Sequence, residues 1–318
     1  MMKKTLLILF LFSSTSILFS FTNENYEEGK PRNTIKTIVI DPGHGGFDSG
    51  AKGSFSTESQ VSLAVSLKLG AAIQKEFPDI KIVYTRTTDI MPGNKTSLKE
   101  GLRYRAALAN SSGGDLFIAV HCNSARDIRH QEFVGYKMAT YYVGKGKKKK
   151  KVTRKVRQYH YWYTPNPAKG TETYIWAVGK HDAKVSSISQ NNDYYGEIDS
   201  TSNITLPDPS DPAEKARMLI YEQNYFRKSL TFADLIEKGF LNQGRVDRGG
   251  VKQRNDKGIW VLQAAGMPSV LVEIGFISDK GEEEYINSDK GQDEIVSNLL
   301  NAFRIYKQKI ESKTVGTP

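Results

Sequence analysis

The turn Pro42-Gly43-His44-Gly45-Gly46, entered from the apolar run Ile38-Val39-Ile40-Asp41, sets an imidazole among backbone-permissive residues. A histidine there is either a polar loop residue or a metal ligand held at the C-terminal end of a strand, where open α/β sheets place their chemistry. Phosphate binding is the other use of a Gly-rich turn. A P-loop ends in Gly-Lys-Ser/Thr, and a dinucleotide fingerprint needs a further glycine three residues after the second. Gly43-His44-Gly45-Gly46-Phe47-Asp48 meets neither requirement. A metal ligand needs partners, and the other histidines are His121, His130, His160 and His181. None stands at i, i+4 to another, so the helical His-Glu-x-x-His motif is absent and any site must be assembled from separate segments. His121 ends the apolar run "DLFIAVH", which puts it past the same sheet edge as His44, and Glu58 opens the helical segment that follows the Gly-rich turn. Glu273 lies inside the apolar run "SVLVEIGF", where an uncompensated carboxylate would be strongly destabilising. Its charge calls for a cationic neighbour.

The elements that must position these residues alternate in kind. Strands are expected at Thr34–Ile40, Ile80–Thr85, Asp115–His121, Thr171–Trp176 and Ser269–Phe276, and helices at Glu58–Phe77, Ser97–Asn110, Pro212–Lys238 and Gly291–Lys309. The first helix has Ser56 and Thr57 as caps and apolar residues at Leu63, Leu67, Gly70, Ile73 and Phe77 for packing on a sheet. Strands separated by helices imply right-handed crossovers, hence an α/β fold with a mostly parallel twisted sheet covered by helices on both faces. At 318 residues, 38% apolar and 25% charged, the chain has ordinary globular composition. It reads as one catalytic domain over 34–311, with long insertions at 126–169 and 180–244 and a tail at 312–318.

The N-terminus, Met1-Met2-Lys3-Lys4 followed by an apolar, Ser-broken run, reads as a signal peptide over 1–20 with a flexible leader over 21–33. This predicts export to the periplasm or cell envelope and no membrane span in the mature protein. Cys122 is the only cysteine, so an intramolecular disulfide is excluded. The net charge of +10 is concentrated in "GKGKKKKKVTRKVR", Gly144 to Arg157, which carries no acid. That run reads either as a solvated loop or as an electrostatic attachment to an anionic polymer or surface. Nucleic acid is a poor partner for an exported protein.

Taken in order, "VIDPGHGGFDSGA", Glu58 with "VSLAVSLKL", "YTRTTD", "LKEGLRYRAALANSSGGDLFIAVHCNSA" and "MPSVLVEIGFISDKGEEEYI" resemble the zinc-dependent N-acetylmuramoyl-L-alanine amidases, the type 3 bacterial cell-wall amidases. The resemblance runs from about Thr34 to Tyr306 outside the insertions. It implies one Zn2+ per chain held by His44, Glu58 and His121, with Glu273 as the catalytic glutamate. It also implies hydrolysis of the amide between N-acetylmuramic acid and L-alanine in peptidoglycan, for wall remodelling or daughter-cell separation. The Gly-rich turn would then let backbone and polymer approach the metal. The family usually has Ser-Ile-His-Ala-Asn where this chain has Ala119-Val120-His121-Cys122-Asn123, and strand alternation makes Cys122 a buried small hydrophobe. Arg86, Arg103 and Arg248 match family arginines and serve either as braces of the sheet edge or as substrate contacts. The alternatives in function are a metallopeptidase of wall peptides and a catalytically silent wall-binding protein. The segment Asp208–Glu222 is a candidate gate, with Glu214 or Glu222 filling the metal's open position until an activator protein withdraws it.

Overall fold

The computed structural model describes residues 34–176, 212–254 and 259–312, the stretch 212–222 by its backbone alone. The expected signal peptide and leader, the tail after Ser312, and the polar part of the second insertion from 180 to 211 lie outside the described residues, as do the side chains of Glu214 and Glu222.

Chain order begins with β1 (Thr37–Pro42), α1 (Glu58–Glu76), β2 (Lys81–Tyr84), α2 (Leu98–Ser111) and β3 (Leu116–Asn123). It continues through β4 (Ile128–Val143), β5 (Lys150–Thr164), β6 (Glu172–Ile175), α3 (Pro212–Asn242) and β7 (Lys252–Gln253). The last elements are α4 (Trp260–Ala264), β8 (Ser269–Phe276), α5 (Lys280–Asn287) and α6 (Asp289–Ser312). The main sheet has the order β2-β1-β3-β8-β6-β7. β2, β1, β3 and β8 run parallel, as their helical connections require. β6 is antiparallel to β8. It is reached from β3 without a crossover helix, so parallel pairing is not imposed on it.

Side chains alternate across each strand and sort into unequal covers. Ile38, Ile40, Val120, Cys122, Val272 and Ile274 join the core under α1, α3 and α6, whereas Val39, Phe117, Ala119 and Leu271 pack with residues of α2 and α4. The second cover is the thinner one. In α1 the fully buried stripe is Val61, Val65, Leu69 and Ile73, with Ser62, Ser66 and Gly70 beside it. Leu63 and Leu67 are only partly buried, because small residues let the helix approach the sheet along the neighbouring face. A Cβ on Gly70 would stand 1.8 Å from the Tyr84 hydroxyl. Thr57 caps α1, its amide donating to Gln60 Oε1 at 3.2 Å, while Ser56 turns to Glu283 instead.

The first insertion is not a loop. β4 and β5 pair antiparallel along their length, from Ile128↔Thr164 to Val143↔Lys150, as a separate two-stranded ribbon. The lysines obscured a run of β-branched and aromatic residues, Val152, Thr153, Val156, Tyr159, Tyr161 and Tyr163, whose propensity is for strand. Gly144 and Gly146 take positive φ of 107° and 57° at the tip, and an irregularity between Phe133 and Gly135 bulges β4.

The segment between the Gly-rich turn and α1 is tied to the far end of the chain. Glu283 of α5 is fully buried and accepts from the amides of Ser54, Phe55 and Ser56 at 2.7, 2.9 and 2.9 Å, and from Ser56 Oγ at 2.8 Å. Glu283→Ala strips these amides of their acceptor. With unsatisfied buried donors costing ~1–3 kcal/mol each, a loss of about 3 kcal/mol is expected in urea unfolding. A loss below about 1 kcal/mol would show that water replaces the carboxylate freely.

Candidate metal centre

The site begins with a strained turn. His44 has a φ of 57°, a left-handed conformation that costs a non-glycine residue on the order of 1–2 kcal/mol. Two buried arginines over-determine it. Arg86 donates to Pro42 O at 3.1 Å, Gly43 O at 2.7 Å and Ser59 O at 2.7 Å. Arg105 donates to Pro42 O at 2.8 Å and His44 O at 2.6 Å, and pairs with the buried Asp41 carboxylate, which also accepts from Thr85 Oγ1. Arg86 is therefore a brace, and its charge is stressed: burial, then the neighbouring Arg105, lowers its pKa to about 10. The arginine of α2 seen to hold the turn is Arg105, which the sequence reading did not single out.

That turn presents His44 to two acids. Its Nδ1 lies 2.8 Å from Asp48 Oδ2 and its Nε2 3.1 Å from Glu58 Oε2. The other oxygen of Glu58 lies 2.8 Å from His121 Nδ1. One ligand atom from each of His44, Glu58 and His121 falls within 4.8 Å of the others, so the structure brings the expected trio together. Backbone amides fix Glu58 further, Ala51 N donating at 2.8 Å and Cys122 N at 3.1 Å. Burial opposes ionisation of Glu58, but hydrogen bonds to His121 and His44 outweigh it and hold the carboxyl well below its usual range. The histidine side chains keep 24% and 18% of their surface exposed, so the trio can be reached from solvent.

The glycines serve the ligands directly. A Cβ on Gly43 would stand 2.5 Å from the His121 ring, and one on Gly50 would stand 2.6 Å from both Glu58 Oε2 and the His44 ring. Their lack of a side chain makes room for the trio itself, which is more specific than a general approach of polymer to metal.

Glu273 arrives by strand register. β3 and β8 pair His121 with Glu273, and β8 and β6 pair Glu273 with Glu172, so these side chains form a row on the thinly covered face. The two acids have opposite environments. Glu172 is bound by Arg248 Nε at 2.6 Å, Lys252 Nζ at 2.7 Å, Asn123 Nδ2 at 2.7 Å and the Tyr174 hydroxyl at 2.6 Å. Burial raises its pKa, yet these partners win and bring it down to about 2. Glu273 is 8% exposed, and its Oε2 has no hydrogen-bond partner among the described residues. Burial first, then the charge of Glu58, pushes its pKa up to about 8. A carboxylate left unpaired beside a His/Glu/His trio fits a place where a cation is to come.

The remaining sequence candidates fall into structural roles. Arg248 braces Glu172, and Cys122 is buried in the larger core, where burial pushes its thiol up and keeps it inert. His130 and His160 stack on Trp162 in the ribbon, away from the trio, and His181 lies outside the described residues. Sequence reasoning missed Asp48, Arg105 and Glu172. Glu172 carried the same signal as Glu273, an acid within a β-branched and aromatic run, "TETYIW".

Fold and site together define an α/β protein with a solvent-accessible His/Glu/His cluster, able to hold a metal ion, at the edge of its sheet. The chain belongs to the N-acetylmuramoyl-L-alanine amidase family, whose profile matches residues 38–304 and so spans the trio and Glu273. It is 27% identical over 273 residues to the amidase AmiC of Escherichia coli O6:H1, a match that covers 85% of this chain and 52% of that relative. It thus spans about half the length of AmiC. Its fold resembles the N-acetylmuramoyl-L-alanine amidase of Clostridium difficile 630, with a TM-score of 0.52 at 22% identity over 90% of this chain and 100% of that one. It also resembles the CwlD amidase of Clostridioides difficile, solved in complex with the GerS lipoprotein, with a TM-score of 0.52 at 20% identity over 85% and 98% of the chains.

Gly43→Ala is expected to leave the protein folded by circular dichroism while displacing His121, and so to weaken metal binding by about tenfold or more, since outer supports of a metal ligand contribute ~10–100-fold. Unchanged affinity by calorimetric titration would contradict the steric role of Gly43. Glu172, whose folded pKa of about 2 lies below the ordinary glutamate value of 4.5, contributes stability that is present above pH 4.5 and lost as pH falls through 2. The stability gap between the wild type and Glu172→Gln should therefore shrink by up to about 3 kcal/mol between those pH values in chemical denaturation.

Proposed function

We propose that this chain is an exported zinc amidase that hydrolyses the amide between the lactyl group of N-acetylmuramic acid and the L-alanine of peptidoglycan. The observation that carries the reading is the pairing of Glu273 with His121, which sets beside the trio a buried carboxylate whose Oε2 has no partner among the described residues. Two imidazoles and one carboxylate are the donor set of an open zinc site, with a coordination position left for water or substrate. His44 Nδ1 on Asp48 fixes the ring so that Nε2 is the coordinating atom, and Asp48 is thus the support behind that ligand. Zinc bound there supplies a Lewis acid and lowers the pKa of water from 15.7 to about 7.

The chain's own residues handle the proton. Burial holds Glu273 protonated near neutrality when no cation is close, and a divalent cation beside it favours the ionised form, which is a base. Glu273 then takes a proton from the attacking water and returns it to the leaving nitrogen, so that the lactyl carboxylate and the alanine amine are set free. Glu172 cannot share that role, because Arg248, Lys252, Asn123 and Tyr174 already occupy it. Peptidoglycan as substrate and the cell envelope as location are supported by the similarity to AmiC and by the family match. No described helix is long and apolar enough to cross a membrane. Control by an activator protein belongs to the same reading, and the CwlD complex with the GerS lipoprotein supports it.

His44→Ala and His121→Ala are each expected to abolish stoichiometric zinc binding in metal analysis of folded protein; undiminished zinc in both would remove the trio from the mechanism. Glu273→Gln should keep its zinc and lose turnover by roughly 10²–10⁴-fold, the usual contribution of a general base. With purified sacculi, free L-alanine amines on intact glycan chains are the expected product. Cleavage within the stem peptides would assign the site to a metallopeptidase instead.

A further inference from the structure

The β4–β5 ribbon has no part in the chemistry above, yet it leaves the sheet at the site. β3 carries His121 and ends at Asn123 before β4 begins at Ile128, and β5 ends at Thr164 before β6 begins with Glu172. An isolated two-stranded ribbon is at best marginally stable in water, and large contiguous apolar surface is rare on a soluble monomer unless it is used.

Register assigns its side chains to two faces. The pairs Phe133↔Tyr159, Tyr136↔Arg157, Met138↔Lys155 and Tyr142↔Lys151 share one face, the bulge after Phe133 having brought Tyr136 onto it. Arg129↔Tyr163 and Gln131↔Tyr161 extend that face toward the sheet. Contacts confirm the assignment. Arg129 lies over the Tyr161 ring at 4.4 Å and Lys155 over the Tyr136 ring at 4.5 Å, and Phe133 packs edge-on to Tyr136 and Tyr159. Cations and rings thus interleave along the face, and it carries no acid. Most of its rings are open to solvent, Tyr136 by 54%, Tyr161 by 45% and Tyr142 by 69%. The opposite face holds Glu132 and also the cations Lys137, Lys150 and Arg154, but its rings do not interleave with them: His130 and His160 stack on Trp162 toward one end, and Tyr141 lies toward the other.

A strip two strands wide and many residues long fits a linear polymer better than a globular partner. Aromatic faces stack against the C–H faces of hexose rings, and the cations between them pair with carboxylates. A bilayer is a poorer match, because the tip of the ribbon carries lysines rather than an apolar wedge. Resting on the amidase reading for the identity of the polymer, we infer that the Tyr136/Lys155/Arg157 face of the ribbon binds the anionic glycan strand of peptidoglycan and holds it beside the metal centre. The chemistry favours the product: each amide cleaved uncovers a lactyl carboxylate on the strand and removes the peptide that shields its sugars. The face therefore grips the stripped strand more tightly than the intact one and keeps the enzyme on the strand it has begun to clear.

The test uses the full chain, peptide-free glycan strands, intact sacculi and a short soluble muramoyl peptide. Lys151→Ser/Lys155→Ser/Arg157→Ser should weaken binding to stripped strands by about tenfold or more and slow release from sacculi, with cleavage of the short substrate unchanged. Lys137→Ser/Lys150→Ser/Arg154→Ser removes the same charge from the other face and should retain wild-type binding. Tyr136→Ser/Tyr161→Ser, with all charges kept, should also weaken strand binding. Equal losses in the two charge variants would mean unspecific attraction, and tighter wild-type binding to phosphatidylglycerol vesicles or to duplex DNA would assign the face to a membrane or a nucleic acid; either result overturns the inference. If the wild type cleaves neither substrate while the face-specific loss of strand binding persists, the amidase reading fails and the ribbon assignment stands.

Discussion

The carbonyls of Pro42, Gly43 and His44 converge on two buried guanidinium groups, and this convergence sets the conditions for the rest of the site. A turn that leaves a strand with its carbonyls facing inward would be unstable unless those oxygens were satisfied. Arg86 and Arg105 satisfy them, and Asp41 with Thr85 anchors Arg105 in turn. Only under that clamp does His44 remain at positive φ, and only in that conformation does its ring meet Glu58 on one side and Asp48 on the other. The clamp joins two cations and one acid to neutral carbonyl dipoles, and burial first, then the charge of Arg105, penalises the ionisation of Arg86.

The same logic of compensation separates the acids of the site. Glu58, Glu172 and Glu283 are all buried, and each is met by imidazoles, by cations or by backbone amides. Among the described residues Glu273 Oε2 has no partner; Asp41 Oδ2 has none either, but that carboxylate is already paired with Arg105 through its other oxygen. The unequal covers of the sheet matter here. On the thicker side α1, α3 and α6 cover the larger core, whereas on the side of α2 and the short α4 His121 keeps 18% of its side chain exposed beside the buried Glu273.

Much of this was legible in the residues. His121 and Glu273 stand out as titratable groups at the end and in the middle of apolar runs, His44 as an imidazole in the Gly-rich turn after another, and Glu58 as the acid that opens the helix following that turn; the runs themselves fix β1, β3 and β8. What could not be read was register. Nothing local says that β8 slides between β3 and β6 so that Glu273 meets His121, because pairing is decided by packing across the whole sheet. Arg105 was passed over because which side of α2 meets the turn depends on the rotation of the helix about its axis. The ribbon was hidden by composition: lysine dominates the eye and the count, while the alternation of valine and tyrosine decides the backbone. Glu283 gave no signal, since its partners are amides that lie far back in the chain.

The position of β8 also bears on how the molecule is made. It is the last strand in the chain and sits between β3 and β6, both of which precede it. A ribbon of local pairs forms within microseconds and brings the ends of β3 and β6 near each other long before β8 leaves the ribosome. Until Ser269–Phe276 is synthesised, β3 offers an unpaired edge on its Phe117 side and β6 offers another, and such edges recruit foreign strands. A nascent chain at that stage has His44, Glu58 and His121 in hand and lacks Glu273 altogether. Completion of the sheet and arrival of Glu273 beside His121 are one event, so a truncated product is exposed to aggregation before its site is whole.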